Sequence, residues 1–295
     1  MEQNIKAGDS DKITRQYFDS LLIEMRHIDS VVPSTGLVLY GETFSTPIMT
    51  AALSHLGEGM VEMAKGALAA NAVMWWGMSE EADVEAITAT GARTIKIVKP
   101  YADNSRIFRQ IENAEKCGAL AVGMDIDHSF NGRGQHDIVL GDKMSPKTLE
   151  EMKSFIKATK LPFIIKGVLS EQDTYKALEA GAKGIVISHH HGIQDFAIPP
   201  LMLLPKIAKV VNGSIPIFVD CCIESGMDAF KALALGATAV SVGRALMGPV
   251  KNDGAKGVQK KIEDITAELA GAMARTCSPD IMHIDPSVIW KRDCR

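Results

Sequence analysis

PFIIKGVLSEQDTYKALEAGAKGIVISH, residues 162–189, reads as a short apolar run, a helical stretch and a second short apolar run. Both runs are continuous rather than alternating and rich in Ile and Val. That is the pattern of a parallel strand covered on both faces. Between them Ser170 stands where a helix cap belongs and Gly181 where a helix stops. The unit is strand, helix, strand, the building block of a parallel sheet.

Outward from this unit the rhythm continues. Strands are expected over residues 48–53, 72–76, 94–99, 119–125, 162–167, 184–189, 216–221 and 239–244. Helical patterns fall over 57–71, 104–118, 145–159, 170–181 and 225–236, and an amphipathic stretch at 257–274 reads as the closing helix. Asn104 is expected to cap its helix, and Ser145 with Pro146 to open the next. Eight strands alternating with helices imply the α/β class and a closed (β/α)8 TIM barrel, typically about 250 residues. The rival is an open doubly wound sheet. It is disfavoured because no GxGxxG follows the first strand. Residues 1–45 are then an N-terminal extension or lid, and 46–295 the barrel. Residues 126–142 form a long loop after the fourth strand, and long loops in compact domains are usually functional or disordered.

The totals narrow the function classes. The chain has 295 residues, 46% of them apolar, and a net charge of −4, so no basic excess points to nucleic acid. The polar start MEQNIKAGDSDK is no signal peptide, and no apolar run approaches the ~20 residues that span a membrane. Five cysteines without a CxxC pair fit a reducing, cytoplasmic setting. Adjacent Cys221 and Cys222 read as buried small hydrophobes.

In a barrel of this class chemistry sits where strands end. Those positions carry Ser54, His55, Trp76, Lys99, Asp125, Lys166, His189 to His191, Asp220, Gly243 and Arg244. Asp125, Lys166 and Asp220 lie inside apolar runs, where a charge is costly unless paired, so they are the leading site candidates. Gly243 and Arg244 end the eighth strand, a common place for a phosphate. The three histidines of IVISHHHGIQDF, residues 185–196, admit three readings: metal ligands, one acid/base group, or solvated strand-end residues. In an extended chain neighbours alternate sides, so at most His189 and His191 share a face. His128 and His136, in the long loop, read as surface residues.

The pieces LPFIIKGV, ALEAGAKGIVIS, IPIFVD and DAFKALALGATAVSVGRALM, between residues 161 and 248, resemble the FMN-dependent α-hydroxy-acid oxidase and dehydrogenase family of glycolate and lactate oxidases. STPIMTAAL and KCGALAVGMDID extend the resemblance upstream. It implies FMN as cofactor and a small 2-hydroxy acid, or a related carboxylate, as substrate. It implies His190 as the base, Asp125 as the carboxylate paired with it, and Lys166 as the cation beside the flavin. Ala51, Ala52, Trp76, Ser188, Asp220, Gly243 and Arg244 match positions that line the cofactor. It also implies a homo-oligomer, and it leaves oxygen, a quinone or a carrier protein open as electron acceptor. Several positions depart from the family pattern. SNHGxRQ becomes SHHHGIQ, so Ile193 replaces the arginine that grips the substrate carboxylate. DGGxRxG becomes DCCIESG, placing Cys221, Cys222 and Glu224 where two glycines and an arginine are expected. A tyrosine after the third strand becomes Lys99. Lys99 and Arg133 are the replacement cations expected to meet the substrate. Two other readings stand beside this one: an aldolase or isomerase using Lys166 as a Schiff-base lysine, with a phosphate at Gly243 and Arg244, and a barrel that has lost catalysis and serves as a binding subunit.

Overall fold

The expected runs all become strands. In the computed structural model, which describes residues 8–54, 56–78 and 81–292, they are β1 (Ile48–Thr50), β2 (Met74–Trp76), β3 (Thr94–Val98), β4 (Ala121–Asp125), β5 (Phe163–Val168), β6 (Gly184–Ile187), β7 (Ile217–Val219) and β8 (Ala239–Val242). They form one parallel eight-stranded sheet in the order β1-β8-β7-β6-β5-β4-β3-β2. Thr50 N donates to Val73 O at 3.2 Å and Gly77 N to Leu53 O at 2.7 Å, which joins β1 to β2 and closes the barrel. The interior is packed with side chains. Trp75 of β2 meets Phe218 of β7 edge to face across the barrel, with ring centroids 5.1 Å apart.

Helices α2 (Glu58–Ala69), α3 (Glu81–Thr88), α4 (Asn104–Lys116), α5 (Leu149–Lys157), α6 (Glu171–Ala180), α7 (Pro200–Val211), α8 (Gly226–Ala234) and α9 (Arg244–Ala274) surround it. Three details correct the sequence expectations. Asp103, not Asn104, caps α4, while the Asn104 amide reaches Glu151 at 2.8 Å. Helix α5 starts later than Ser145, because Thr148 and Glu151 form a reciprocal capping box. The closing helix begins at Arg244 and kinks at Gly254, so the expected stretch is only its second half.

The N-terminal extension does two jobs. A hairpin of Leu37–Leu39 with Glu42–Phe44 closes the bottom of the barrel, where the Tyr40 hydroxyl donates to Lys183 O at 2.7 Å. The helix Ser10–Ser20, which we call αN, lies instead at the top, against the loops after β6, β7 and β8. Arg15 grips Asp228 with two hydrogen bonds of 3.1 and 2.8 Å, and Phe18 is fully buried. The segment Leu21–Ile23 then pairs antiparallel with Ile289–Lys291, tying the two ends of the chain together.

Helix α8 approaches α9 so closely that a Cβ at Gly226 would collide with the backbone around Leu269. Gly226→Ala is expected to destabilise the fold by about 1–3 kcal/mol, as overpacking does. A urea titration followed by circular dichroism checks this; an unchanged midpoint would show that the two helices yield freely.

Candidate active site

Strand register brings the charges together. Lys166 in β5 stands directly beside Asp125 at the end of β4. Lys99 follows β3 on the face of Ile95 and Ile97, turned into the barrel, whereas Lys96 falls on the opposite face. Ser188 and His190 follow β6, and Asp220 follows β7. All these side chains converge at the C-terminal rim, where barrel loops carry chemistry.

Asp125 is the hub. Its Oδ2 lies 2.6 Å from Lys99 Nζ and its Oδ1 3.2 Å from Lys166 Nζ. Lys166 also lies 3.5 Å from Asp220 Oδ2 and 3.4 Å from His190 Nδ1. Burial disfavours charge on Asp125, yet Lys166, Lys99 and His190 outweigh it and hold the carboxyl well below the usual range. Burial likewise works against a charged Lys166, and Asp125 and Asp220 reverse that, raising its pKa. The pKa of His190 is raised too: burial and Lys166 oppose its cation, and Asp125 with Asp127 overcome them.

The three histidines part company, though not by strand alternation, because β6 ends at Ile187. His190 and His191 take left-handed backbone conformations, with φ of 49° and 55°. His189 is buried and turned toward αN: Thr14 Oγ1 lies 2.7 Å from its Nε2, and Gly192 N–H donates to its Nδ1 at 3.0 Å. Its role is to anchor αN. His191 is half-exposed, 4.0 Å from Asp11. Only His190 enters the charged cluster. His128, expected at the surface, is half-buried and packs edge to face on His190 at 4.1 Å between ring centroids. Its Nδ1 pairs with Asp137 Oδ2 at 3.1 Å. His136 is exposed, as expected. Asp127, His128 and His190 offer ligand atoms within 4.8 Å of one another. The Lys166 ammonium beside His190 sets electrostatics against a metal cation there.

At the phosphate end two cysteines stand at expected glycine positions, yet the backbone keeps the glycine conformation. Cys221 and Cys222 adopt φ of 74° and 58°, the left-handed region glycine would supply. The Cys221 N–H donates to Asp220 Oδ1 at 2.5 Å and the Glu224 N–H to Asp228 Oδ2 at 3.1 Å. Gly243 begins α9 with no side-chain cap, and Arg244 follows. Glu224 is exposed. Asp11 of αN holds Arg244 at 2.7 Å, and only about 10 Å3 of open space remains among these residues. Burial, then Asp220 for Cys221 and Asp11 for Cys222, pushes both thiols up to about 12.

Other expected residues land less centrally. Ala51 is buried against Gly243, and Ala52 is half-buried beside it. The Trp76 indole faces the helix layer beneath Lys96, whose Nζ sits 3.9 Å from the ring centroid, so only its backbone meets the rim. Arg133 is exposed at the tip of the long loop, and His55 lies outside the described residues. Sequence reasoning missed Asp127, Asp11, Thr14 and Arg15. Asp127 follows β4 two residues after Asp125, and this DID spacing was the one signal available.

The residues fit FMN: a buried lysine for the anionic end of the ring system, small side chains on β1, and an uncapped helix start with an arginine for the phosphate. The family described as FMN-dependent dehydrogenase matches residues 1–154 and 140–291. A peroxisomal (S)-2-hydroxyacid oxidase of Arabidopsis thaliana is 28% identical, with 88% of this chain and 81% of that protein covered. Glycolate oxidase of Spinacia oleracea is 27% identical over 91% of this chain and 82% of its own length. Among solved structures, a mandelate oxidase variant carrying a monooxide FMN adduct superposes with a TM-score of 0.87 at 27% identity, covering 97% of this chain and 92% of that one. Mandelate oxidase with (S)-2-phenylpropionate gives 0.86 at 26%, over 97% and 90%. The match runs through every strand that supplies the charged cluster, and the chain belongs to the FMN-dependent dehydrogenase family.

Proposed function

We propose that the protein oxidises a small 2-hydroxy acid to the 2-oxo acid, with His190 as the base. The observation that supports this best is the buried Asp125–Lys166–His190 cluster at the rim. Bound FMN supplies the two-electron oxidant. Lys166 would stand at the anionic edge of the flavin, its proton secured by Asp125 and Asp220. The Cys222 amide, the start of α9 and Arg244 would hold the phosphate.

Loss of two electrons and two protons turns the alcohol carbon into a carbonyl. His190 accepts one of those protons, the other would leave with the electron pair to bound FMN, and the surrounding carboxylates stabilise the imidazolium that results. Ile193 cannot bind a carboxylate. We assign that task to Lys99, whose ammonium keeps two N–H donors beyond the one given to Asp125. The exposed Arg133 is the second candidate, reaching the rim only by a movement of its loop. The ion pairs of Lys166 also weigh against the Schiff-base reading, which needs an unprotonated amine.

No helix among the described residues is long and apolar enough to cross a membrane. We take the protein as a cytoplasmic homo-oligomer. Ile28 and Val32, 87% and 95% exposed, are the apolar side chains offered for self-contact. Sedimentation is expected to show an oligomer that Val32→Glu weakens; a monomeric parent protein would remove this part of the proposal.

His190→Gln is expected to retain FMN and to lose about 10²- to 10⁴-fold in turnover of a 2-hydroxy acid. Stopped-flow bleaching of the flavin reads the effect, and unchanged bleaching would exclude His190 as base. Because Asp11 competes with phosphate for Arg244, Asp11→Ala should tighten FMN binding, while Arg244→Ala should weaken it about tenfold or more. Equilibrium titration of the apoprotein by flavin fluorescence decides; equal affinities in all three proteins would mean that Arg244 does not meet the phosphate.

A further inference from the structure

We propose that Asp127, rather than Asp125, is the carboxylate that positions His190. The proposal rests on the reading of His190 as base.

Asp125 is engaged elsewhere. Lys99 hydrogen-bonds one oxygen at 2.6 Å, while the other, Oδ1, is paired with Lys166 by charge at 3.2 Å without a hydrogen bond. That leaves His190 Nδ1 at 3.5 Å, beyond an ordinary N–H to oxygen hydrogen bond. Asp127 Oδ1 is nearer to the same nitrogen, at 3.2 Å. The Asp127 carboxylate is only 12% exposed, and neither oxygen has a hydrogen-bond partner of its own among the described residues. A carboxylate so placed is costly unless a cation meets it. The His190 ring is the group in position to do so.

The backbone is shaped for this arrangement. Strand β5 carries a bulge between Lys166 and Val168, centred on Gly167 at φ 94°. A Cβ on Gly167 would stand 2.7 Å from Asp127 Cγ. The bulge and the missing side chain therefore make the space that the carboxylate fills. On the other side of the ring, His128 packs edge to face, held by Asp137. His190 Nδ1 faces Asp127 Oδ1 at 3.2 Å and Lys166 Nζ at 3.4 Å; with its proton directed to Asp127, Nε2 is left as the basic nitrogen.

The charged and titratable groups facing His190 are Lys99 after β3, Asp125, Asp127, His128 and Asp137 from β4 and its loop, Lys166 on β5, His191 beside it, and Asp220 after β7. Lys99 explains the exchange of roles. An ammonium in that position captures Asp125, and a second carboxylate two residues on becomes the partner of the base. Asp127 is thus a positioning residue, acting through His190.

Imidazole NMR titration of the FMN-free protein tests this without turnover, with the His190 resonance assigned by its loss in His190→Gln. Asp127→Asn is expected to lower the His190 pKa by about one unit or more. With FMN bound, the acidic limb of the kcat/KM pH profile should move down by the same amount, since the base is then neutral at lower pH. Gly167→Ala, which displaces the carboxylate, should shift the titration the same way and guards against misfolding of the first variant. Lys99→Met combined with Asp127→Asn should restore much of the pKa by releasing Asp125. An unmoved His190 titration in both folded single variants would overturn the proposal. Normal turnover in His190→Gln, with the titration shifted as expected, would instead overturn the base assignment and leave the Asp127–His190 pairing standing.

Discussion

Everything at the rim depends on one register: β4 and β5 run side by side so that Lys166 and Asp125 are direct neighbours inside the barrel. Neither charge is tolerable there alone. Together they form a pair whose remaining valences recruit Lys99, Asp220 and His190 into one network. A slip of one residue would turn each side chain to the helix face and dissolve the site. The barrel therefore does more than display these groups. Its hydrogen-bond ladder fixes which charges meet, and the mutual attraction of those charges in turn favours that ladder over its alternatives.

The N-terminal helix is the second organising element. It reaches over three strand-end loops and binds each by different chemistry: a buried histidine through Thr14, a carboxylate through Arg15, and an arginine through Asp11. The last contact lies where family logic puts a phosphate. A single helix thus both assembles the top of the barrel and pairs with Arg244, the cation proposed to meet the phosphate.

Much of this was legible in the sequence, and what was not has physical causes. Strands buried on both faces announce themselves as Ile- and Val-rich runs, and charges inside such runs mark Asp125, Lys166 and Asp220 without any structure. Strand ends were read long at several positions, because apolar character continues past the last ladder bond. That same overreach treated SHHHG as extended and misjudged how the histidines would face. His128 reads as a surface residue because nothing in sequence shows that the loop folds back across the rim. Asp127, Thr14 and Arg15 act through contacts between distant segments, which composition and spacing do not encode. Conversely, the cysteines in DCCIES read as a loss only under the assumption that left-handed backbone requires glycine.

That pair of residues carries an energetic consequence. Two successive non-glycine residues at positive φ each hold about 1–3 kcal/mol of backbone strain, which the rest of the fold must sustain. The loop is held so by its surroundings: the Cys222 carbonyl accepts from Arg15, the Cys221 sulfur sits against Ser188, and Asp228 takes the Glu224 N–H. The distortion is therefore settled during folding, before any anion arrives. A ligand meeting this loop would find its backbone already bent, and the cost of bending the chain would not fall on its binding energy.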